Sequence, residues 1–189
     1  VLPRTFTAID LCGNTTVGTQ TITVTDTTAP EFTSIPEDYT AECSDELDSS
    51  LPTATDNCDA VNISVEEEGI AGDCANEYTL IRTFTASDDC GNASVATQTI
   101  TVQDTTAPEF TSVPGDETIE FGMEVSDEMA TAVDNCGDVT VTVSEETVMG
   151  DCEGDFVVTR TFTAVDACGN TSVAVQTVTV EDTTAPDLT

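Results

Sequence analysis

Acidic and amide side chains recur in this chain at a spacing of 78 residues. Asp26, Asp104 and Asp182 each begin an Asp-Thr-Thr-Ala-Pro segment, and the Asp-Asn-Cys segment at 56–58 returns at 134–136. Calcium binds about six to eight oxygen atoms, which proteins supply from carboxylates, side-chain amides and backbone carbonyls. The chemistry that these residues offer is therefore the binding of a divalent cation.

Cysteine is the second reactive side chain that follows this spacing. Cys12, Cys90 and Cys168 each precede Gly-Asn, and the chain has eight cysteines in all. The sequence contains no Cys-x-x-Cys pair and no His, which disfavours a compact zinc site. We therefore expect disulfides, which are typical of secreted and cell-surface proteins.

The charge balance argues against several classes of function. Three basic residues stand against 37 acidic ones, for a formal net charge of −34. We expect no binding of nucleic acid and no direct membrane insertion of this segment, because phosphate groups are bound by clusters of Lys and Arg. Without His or Lys the chain has few groups for general-base or nucleophilic catalysis, so we expect it not to be an enzyme. Arg4, Arg82 and Arg160, again 78 residues apart, are expected to be internal ion-pair partners.

The elements that position these residues must repeat with them. Every landmark keeps the same offset, which indicates folded units of equal size. We predict the C-terminal part of a preceding repeat at 1–26, a first repeat at 27–104, a second repeat at 105–182, and the start of another repeat at 183–189.

Within each repeat, apolar residues alternate with threonine. This period of two, as in 21–25 and 139–143, is typical of half-buried β-strands, and no ten-residue window has a helical stripe. The predicted fold class is all-β, with tandem immunoglobulin-like β-sandwich domains in a linear array that is stapled by disulfides. A β-solenoid is the alternative, but its repeats are shorter, at about 20–50 residues.

A strand map of the first repeat follows from the alternation and the turn residues. Antiparallel strands are predicted near 38–43, 51–55, 61–66, 78–87 and 93–103. This map places Cys58 and Cys90 in loops at one end of the sandwich, and Cys43 and Cys74 at the other end.

Disulfide pairs follow from this placement. We predict the bonds Cys58–Cys90, Cys43–Cys74 and, in the second repeat, Cys136–Cys168. Phe121 stands where the second repeat would carry the equivalent of Cys43, so Cys152 should be unpaired, and Cys12 should pair with a cysteine outside this sequence. A rival pairing joins the cysteines at 43 and 90 and those at 58 and 74.

The same map predicts calcium sites where one repeat meets the next. Asp104 leaves the last strand of the first repeat at the end that faces the loops of the second, and Asp26 has the equivalent position before the first repeat. The expected Ca²⁺ ligands are Asp104, Glu109, Asp134, Asn135, Asp166 and Asn170 at the later junction, and Asp26, Glu31, Asp56, Asn57, Asp88 and Asn92 at the earlier one. Two simpler interpretations stay open, namely that the aspartates cap turns or that the acids form a solvated surface.

Three segments together resemble a known family. They are Thr-Ala-Thr-Asp-Asn-Cys at 53–58, Arg-Thr-Phe-Thr-Ala-x-Asp-x-Cys-Gly-Asn at 82–92, and Thr-Ile-Thr-Val-x-Asp-Thr-Thr-Ala-Pro at 99–108. In this combination they are similar to HYR-like repeats, in particular to the tandem repeats of giant surface adhesins of Bacteroidota such as the SprB-type gliding-motility adhesins. The resemblance covers essentially the whole chain.

The resemblance implies a role in a long filament at the cell surface. Such a stalk would be exported through the type IX route, anchored at the outer membrane, and used in adhesion or gliding motility. Its partners would be neighbouring repeats of the same chain and a polysaccharide or protein target. The alternative is a binding module in which each repeat recognises a glycan or a protein. Because Asp-Thr-Thr resembles an O-glycosylation signal of Bacteroidota, Thr27, Thr105 and Thr183 are candidate acceptors.

Overall fold

The computed structural model describes residues 1–58, 60–152 and 154–185, which form fourteen β-strands and no helix. The all-β prediction is therefore confirmed, and the described part of the chain has no helix with the length and hydrophobicity needed to cross a bilayer. The predicted start of another repeat at 183–189 lies partly outside the described residues. The strands are β1 (Leu2–Ile9), β2 (Thr15–Ile22), β3 (Glu31–Ser34), β4 (Tyr39–Glu42), β5 (Thr53–Thr55), β6 (Asn62–Ala71), β7 (Tyr78–Ser87), β8 (Ala93–Gln103), β9 (Glu109–Ser112), β10 (Glu117–Glu120), β11 (Thr131–Val133), β12 (Thr140–Met149), β13 (Phe156–Val165) and β14 (Thr171–Glu181).

The chain divides into two compact units. The first unit contains residues 1–37, 49–67 and 82–98, and the second contains residues 38–48, 68–81 and 99–189. The second unit therefore holds the whole second repeat together with three segments of the first repeat. The candidate site below lies within this second unit.

Two sheets build the second repeat. One has the strand order β10–β14–β13–β12, and the other pairs β11 with β9. The first repeat has the same arrangement, with the order β4–β8–β7–β6 and the pair β3–β5. The prediction of tandem β-sandwich domains is confirmed, and four of the five strands mapped in the first repeat agree with the structure to within two residues at either end.

In each repeat, one strand differs in direction from the antiparallel prediction. β10 runs parallel to β14, with Ile119 opposite Val180, and β4 runs parallel to β8. The chain leaves β9 at a short segment with Pro114, which cannot donate to a sheet, and continues in the other sheet as β10. Two hydrogen bonds hold this crossing. The Gln176 side chain donates to the Gly115 carbonyl at 2.8 Å, and the Thr177 N–H donates to the Asp116 carboxylate at 2.7 Å.

The core follows the two-residue period of the sequence. In β13 and β14 the apolar side chains of Phe162, Val178 and Val180 are almost fully buried, while the threonines between them are half-buried. Phe84 and Ile100 are the equivalents of Phe162 and Val178 in the first repeat, and both are fully buried. Burial of each such side chain contributes about 1.5–3 kcal/mol.

The arginine of each complete repeat lies inside it. Arg160 is 2% exposed, and its Nε donates to Glu145 at 3.0 Å while its Nη1 donates to the Gln176 side chain at 3.0 Å and to the Glu128 carbonyl at 3.1 Å. In the first repeat Arg82 forms the matching ion pair with Glu67 at 2.8 Å. The prediction of internal ion pairs is thus confirmed for Arg82 and Arg160, but it is wrong for Arg4, which is exposed on β1.

Arg160→Ala should lower the free energy of unfolding of the second repeat by about 3 kcal/mol, because it leaves the Gln176 side-chain oxygen buried without its donor and removes the bond to the Glu128 carbonyl. Hydrogen exchange of the β12–β14 amides measures this change in the repeat itself. Arg4→Ala is the matched control, since Arg4 is exposed on β1, and a change below about 0.5 kcal/mol is expected there. Equal protection in both variants would contradict the structural role of Arg160.

Candidate metal centre

The Asp-Thr-Thr segment after β8 is held by a glutamate at the end of β4. Asp104 is 6% exposed, and its Oδ1 accepts the Thr106 N–H at 3.2 Å. The N–H of Thr105 donates to the Glu42 carboxylate at 3.1 Å, and the Thr105 hydroxyl donates to the same carboxylate. These bonds fix the point at which the chain passes from the first repeat to the second.

The same contact occurs at the end of the second repeat. Glu120 accepts the Thr183 N–H at 2.9 Å and the hydroxyls of Thr183 and Thr184 at 2.6 and 2.9 Å. We call this contact the glutamate clasp. Sequence reasoning missed this contact. The sequence does carry a signal for it, namely that each glutamate stands 63 residues before the threonine that it binds.

Two loops of the second repeat bring further carboxylates to Asp104. Asp134 follows β11, and its Oδ1 accepts the Cys136 N–H at 2.8 Å. Asp166 follows β13, and its Oδ1 accepts the N–H groups of Cys168 and Asn170 at 2.8 and 2.9 Å. These are the turn caps that the sequence left open as an alternative to metal binding, and the cap of Asp134 uses only one of its two carboxylate oxygens.

Carboxylate oxygens of Asp104, Asp134 and Asp166 lie within 4.8 Å of one another. We call these three residues the carboxylate cluster. The Asn170 side chain braces it, donating to Asp166 Oδ2 at 2.8 Å and to the Asp104 carbonyl at 3.1 Å. Four of the six residues predicted as ligands at this junction are therefore brought together.

The charge of the cluster is poorly compensated. Asp134 Oδ2 is buried and has no hydrogen-bond partner among the described residues. The chain has no Lys or His, and Arg82 and Arg160 are engaged with glutamates. A buried carboxylate oxygen without a partner is unfavourable, so the donor set fits a bound cation.

Burial raises the pKa of the Asp104 carboxyl. The Thr106 N–H opposes this shift, while the charges of Asp134, Asp166 and Glu42 add to it. Asp166 differs, because burial would raise its pKa but the bonds from Asn170, Cys168 and Gly169 outweigh it and lower the pKa overall. The cluster therefore contains one carboxylate that resists ionisation beside another that ionises readily.

The remaining predicted ligands lie nearby or in the first unit. Glu109 and Asn135 line an open groove beside Asp134, and the Asn135 amide donates to Ser44 at 3.0 Å. In the first unit, ligand atoms of Asp26, Asp56 and Cys58 lie within 4.8 Å of one another. Of the other residues predicted there, Glu31 and Asn57 line a groove with Asp56, whereas Asp88 accepts bonds from Asn92 within its own turn.

Two disulfides lie beside the carboxylate cluster. They join Cys43 to Cys136 and Cys74 to Cys168, with Cα–Cα distances of 5.7 and 5.0 Å, which are usual for such bonds. Each bond connects a cysteine of the first repeat to a loop of the second repeat, and all four cysteines belong to the second compact unit.

This cysteine pattern agrees with a family model. The description of that family is "HYR-like domain with 4 cysteines", and it matches residues 31–102 and 110–180. The chain belongs to this family. The first HYR-like repeat has the four cysteines at 43, 58, 74 and 90, whereas the second has three, because Phe121 replaces one.

No curated protein matches the sequence, whereas solved structures do. They include Drosophila N-cadherin EC1-4 (14% identity, 82% of this chain and 50% of that chain, TM-score 0.38) and human protocadherin-24 EC1-2 (14%, 83% and 100%, 0.35). A third is the Ig1-2 module of the Drosophila receptor protein tyrosine phosphatase DLAR (15%, 82% and 100%, 0.29). This chain spans half of the N-cadherin fragment, and TM-scores this low carry no further argument.

The disulfides correct two predicted bonds. Cys43–Cys74 and Cys136–Cys168 are wrong, because each of these cysteines bonds to the other HYR-like repeat. The structure brings loops of two repeats within bonding distance at their junction, so cysteines of neighbouring repeats bond to each other. Among the described residues Cys152 has no disulfide partner. The bonds predicted for Cys58–Cys90 and for Cys12 stay predictions, and the rival pairing of the cysteines at 43 and 90 and at 58 and 74 is also wrong.

The candidate glycosylation sites are untested. At two of them, Thr105 and Thr183, the hydroxyl donates to a glutamate of the clasp. A glycan on either hydroxyl would have to replace that bond. Thr27 is the third candidate, and O-glycosylation at all three positions stays a prediction.

Peptide mapping without reduction should recover two crosslinked peptides, one containing Cys43 and Cys136 and the other Cys74 and Cys168. Free thiols are blocked before digestion so that the bonds cannot rearrange. A peptide that joins Cys136 to Cys168 would contradict the structure and restore the pairing within one repeat.

Asp104→Asn should change how the stability of the junction depends on pH. The folded pKa of Asp104 is raised, so its favourable contribution is complete below its unfolded pKa of about 3.9 and is lost as pH rises through the folded value. In chelator, the wild type should therefore lose stability relative to Asp104→Asn as the pH rises above the unfolded pKa of Asp104 and through its raised folded pKa. Thermal unfolding across this range measures the difference, and parallel curves for the two proteins would contradict it.

Proposed function

We propose that this chain is a structural stalk segment of a long secreted adhesin filament at the cell surface, used in adhesion or gliding motility. Membership in the HYR-like family and the tandem arrangement of its repeats support this proposal. The observation that carries it is the pair of disulfides that joins one repeat to the next. Bonds of this kind make the junction part of a continuous covalent framework, which suits a fibre that carries tension.

Calcium at the carboxylate cluster is the second part of the proposal. Each Ca–O bond is about 2.3–2.6 Å long, so two oxygens on one ion can be as much as about 5 Å apart. The spacing within 4.8 Å in the carboxylate cluster is compatible with a single ion. Asp104, Asp134 and Asp166 would hold it, and Asn135 and Glu109 stand beside them as further oxygen donors.

The ion would act on the junction by cancelling repulsion. Asp104 belongs to the linker, whereas Asp134 and Asp166 belong to loops of the second repeat. Without a cation, three carboxylates at this spacing repel one another, and Glu42 adds to the repulsion. A shared ion converts this repulsion into a link between linker and loops, so the junction becomes stiffer when calcium is bound.

The cellular setting follows from the resemblance to Bacteroidota surface adhesins of the SprB type. In this setting the filament is exported by the type IX route and anchored at the outer membrane, and its partners are neighbouring repeats and a surface polysaccharide or protein. The disulfides favour an extracellular location, because such bonds persist in oxidising compartments.

Calcium should raise the melting temperature of the wild-type chain. Extracellular modules bind Ca²⁺ with Kd of about 10⁻⁴–10⁻³ M, so about 10 mM calcium should stabilise the folded state by about 1.4–2.7 kcal/mol. Calorimetry of protein first stripped with chelator measures this shift, and hydrogen exchange at Thr105 and Thr106 localises it to the junction.

Matched variants assign the effect to the cluster. Asp104→Asn and Asp134→Asn should each remove most of the stabilisation by calcium. Asp182→Asn should keep it, because Asp182 has the same position in the next linker and caps Thr184 in the same way. An unchanged melting temperature of the wild type, or an equal loss in all three variants, would refute the calcium bridge.

A further inference from the structure

The end of the second repeat that lies away from the disulfides carries an unpaired thiol. Cys152 is exposed between β12 and β13, and among the described residues it forms no disulfide. Cys74 has the equivalent position in the first repeat, 78 residues earlier, and it is bonded to Cys168. The same position is therefore crosslinked in one repeat and available in the other.

The backbone around Cys152 repeats the backbone around Cys74. The Gly72 N–H donates to the Glu77 carbonyl at 2.8 Å, and the Glu77 N–H donates to the Cys74 carbonyl at 3.3 Å. The matching bonds in the second repeat join Gly150 to Asp155 at 2.8 Å and Asp155 to the Cys152 carbonyl at 3.2 Å. The turn that presents Cys74 to its partner thus presents Cys152 in the same way.

Phe121 has the backbone position of Cys43. The Phe121 N–H donates to the Glu181 carbonyl at 2.9 Å, as the Cys43 N–H donates to the Gln103 carbonyl at 2.9 Å. The Phe121 ring lies against Gly154, where a Cβ would come within 3.1 Å of it. One of the two bridging cysteines is therefore replaced by an aromatic side chain at this end of the repeat.

Other apolar side chains are exposed in the same loops and strand end. Phe121 is 54% exposed, Met123 66%, Val148 57% and Met149 69%. The equivalents of Phe121 and Met123 in the first repeat are Cys43 and Asp45, so this end has become more apolar. The Phe121 ring, which lies against Gly154, places one of these exposed apolar side chains next to the loop that carries Cys152.

We propose that this end of the second repeat docks another HYR-like repeat and that Cys152 forms a disulfide with it. The partner cysteine is the one in the loop equivalent to that between β13 and β14, which is the position of Cys168. Phe121 replaces the second bridge with an apolar contact, so this junction has one covalent link where the preceding junction has two. The proposal rests on the proposed function, because it requires a tandem array.

The chemistry of the bond is thiol–disulfide exchange. A thiolate attacks one sulfur of a small-molecule or protein disulfide, and the second thiolate then displaces that mixed disulfide. The two cysteines lose two protons and two electrons in total, and the donor disulfide becomes two thiols. The exposure of Cys152 gives a donor access to it.

A chain lengthened in register tests the proposal. The chain is ended at residue 182 and continued with a second copy of residues 27–189. Because residue 27 is equivalent to residue 183, a copy of the first repeat then follows the second repeat at the natural spacing. Peptide mapping without reduction should find Cys152 bonded to Cys90 of the added copy. Cys152 that is fully alkylated in the denatured, unreduced chain, or Cys90 of the copy bonded to Cys58 of the same copy, would overturn the proposal.

Two variants make the result specific. Phe121→Cys should add a second bond, to Cys58 of the added copy, and Cys152→Ser should abolish the crosslinked peptide that contains position 152. The bonds Cys43–Cys136 and Cys74–Cys168 in the same molecule report correct folding. Calcium stabilisation at Asp104 that persists while Cys152 stays reduced would overturn this inference alone and leave the proposed function standing.

Discussion

The two disulfides between consecutive repeats are the constraint on which the rest of the junction depends. Cys136 lies two residues after Asp134, and Cys168 lies two residues after Asp166, and in both cases the cysteine N–H donates to the aspartate. A bond that fixes the cysteine therefore also fixes the carboxylate. In this way the covalent link determines where the charges of the second repeat stand relative to Asp104.

This placement has an electrostatic consequence. Three carboxylates are held together in a chain with a formal net charge of −34, and the two arginines inside the repeats are engaged elsewhere. An ordinary surface would let these side chains move apart, whereas the disulfides and the glutamate clasp keep them close. The proposed calcium binding and disulfide formation should therefore support each other, since each would hold the same loops in the geometry that the other needs.

Much of the fold and part of the site could be predicted from the sequence. The period of two located the strands, and the fixed spacing of 78 residues located Asp104, Asp134, Asp166 and Asn170 at equivalent positions of successive repeats. The choice of cysteine partners could not be predicted in this way. A cysteine at the end of a repeat has candidate partners in its own repeat and in the next one, and strand alternation does not distinguish them.

The glutamate clasp and the parallel strands show a related limit. Glu42 and Thr105 are 63 residues apart in sequence, and the Asp-Thr-Thr segment does not by itself identify a distant glutamate as its partner. The parallel pairing of β4 with β8 depends on where the chain crosses between sheets, which alternation within a strand does not record. Features of this kind arise from the path of the chain in space, so they become visible only in the structure.

Stretching single molecules from both ends tests the central claim most directly. The two bridges close loops with sequence separations of 93 and 94 in a chain of 189 residues, and the loops overlap. At about 3.3–3.6 Å per residue, the unfolded oxidised chain should extend to about half the length of the reduced chain. An oxidised chain that extends well beyond half the reduced length, in two steps of one repeat each, would contradict the account.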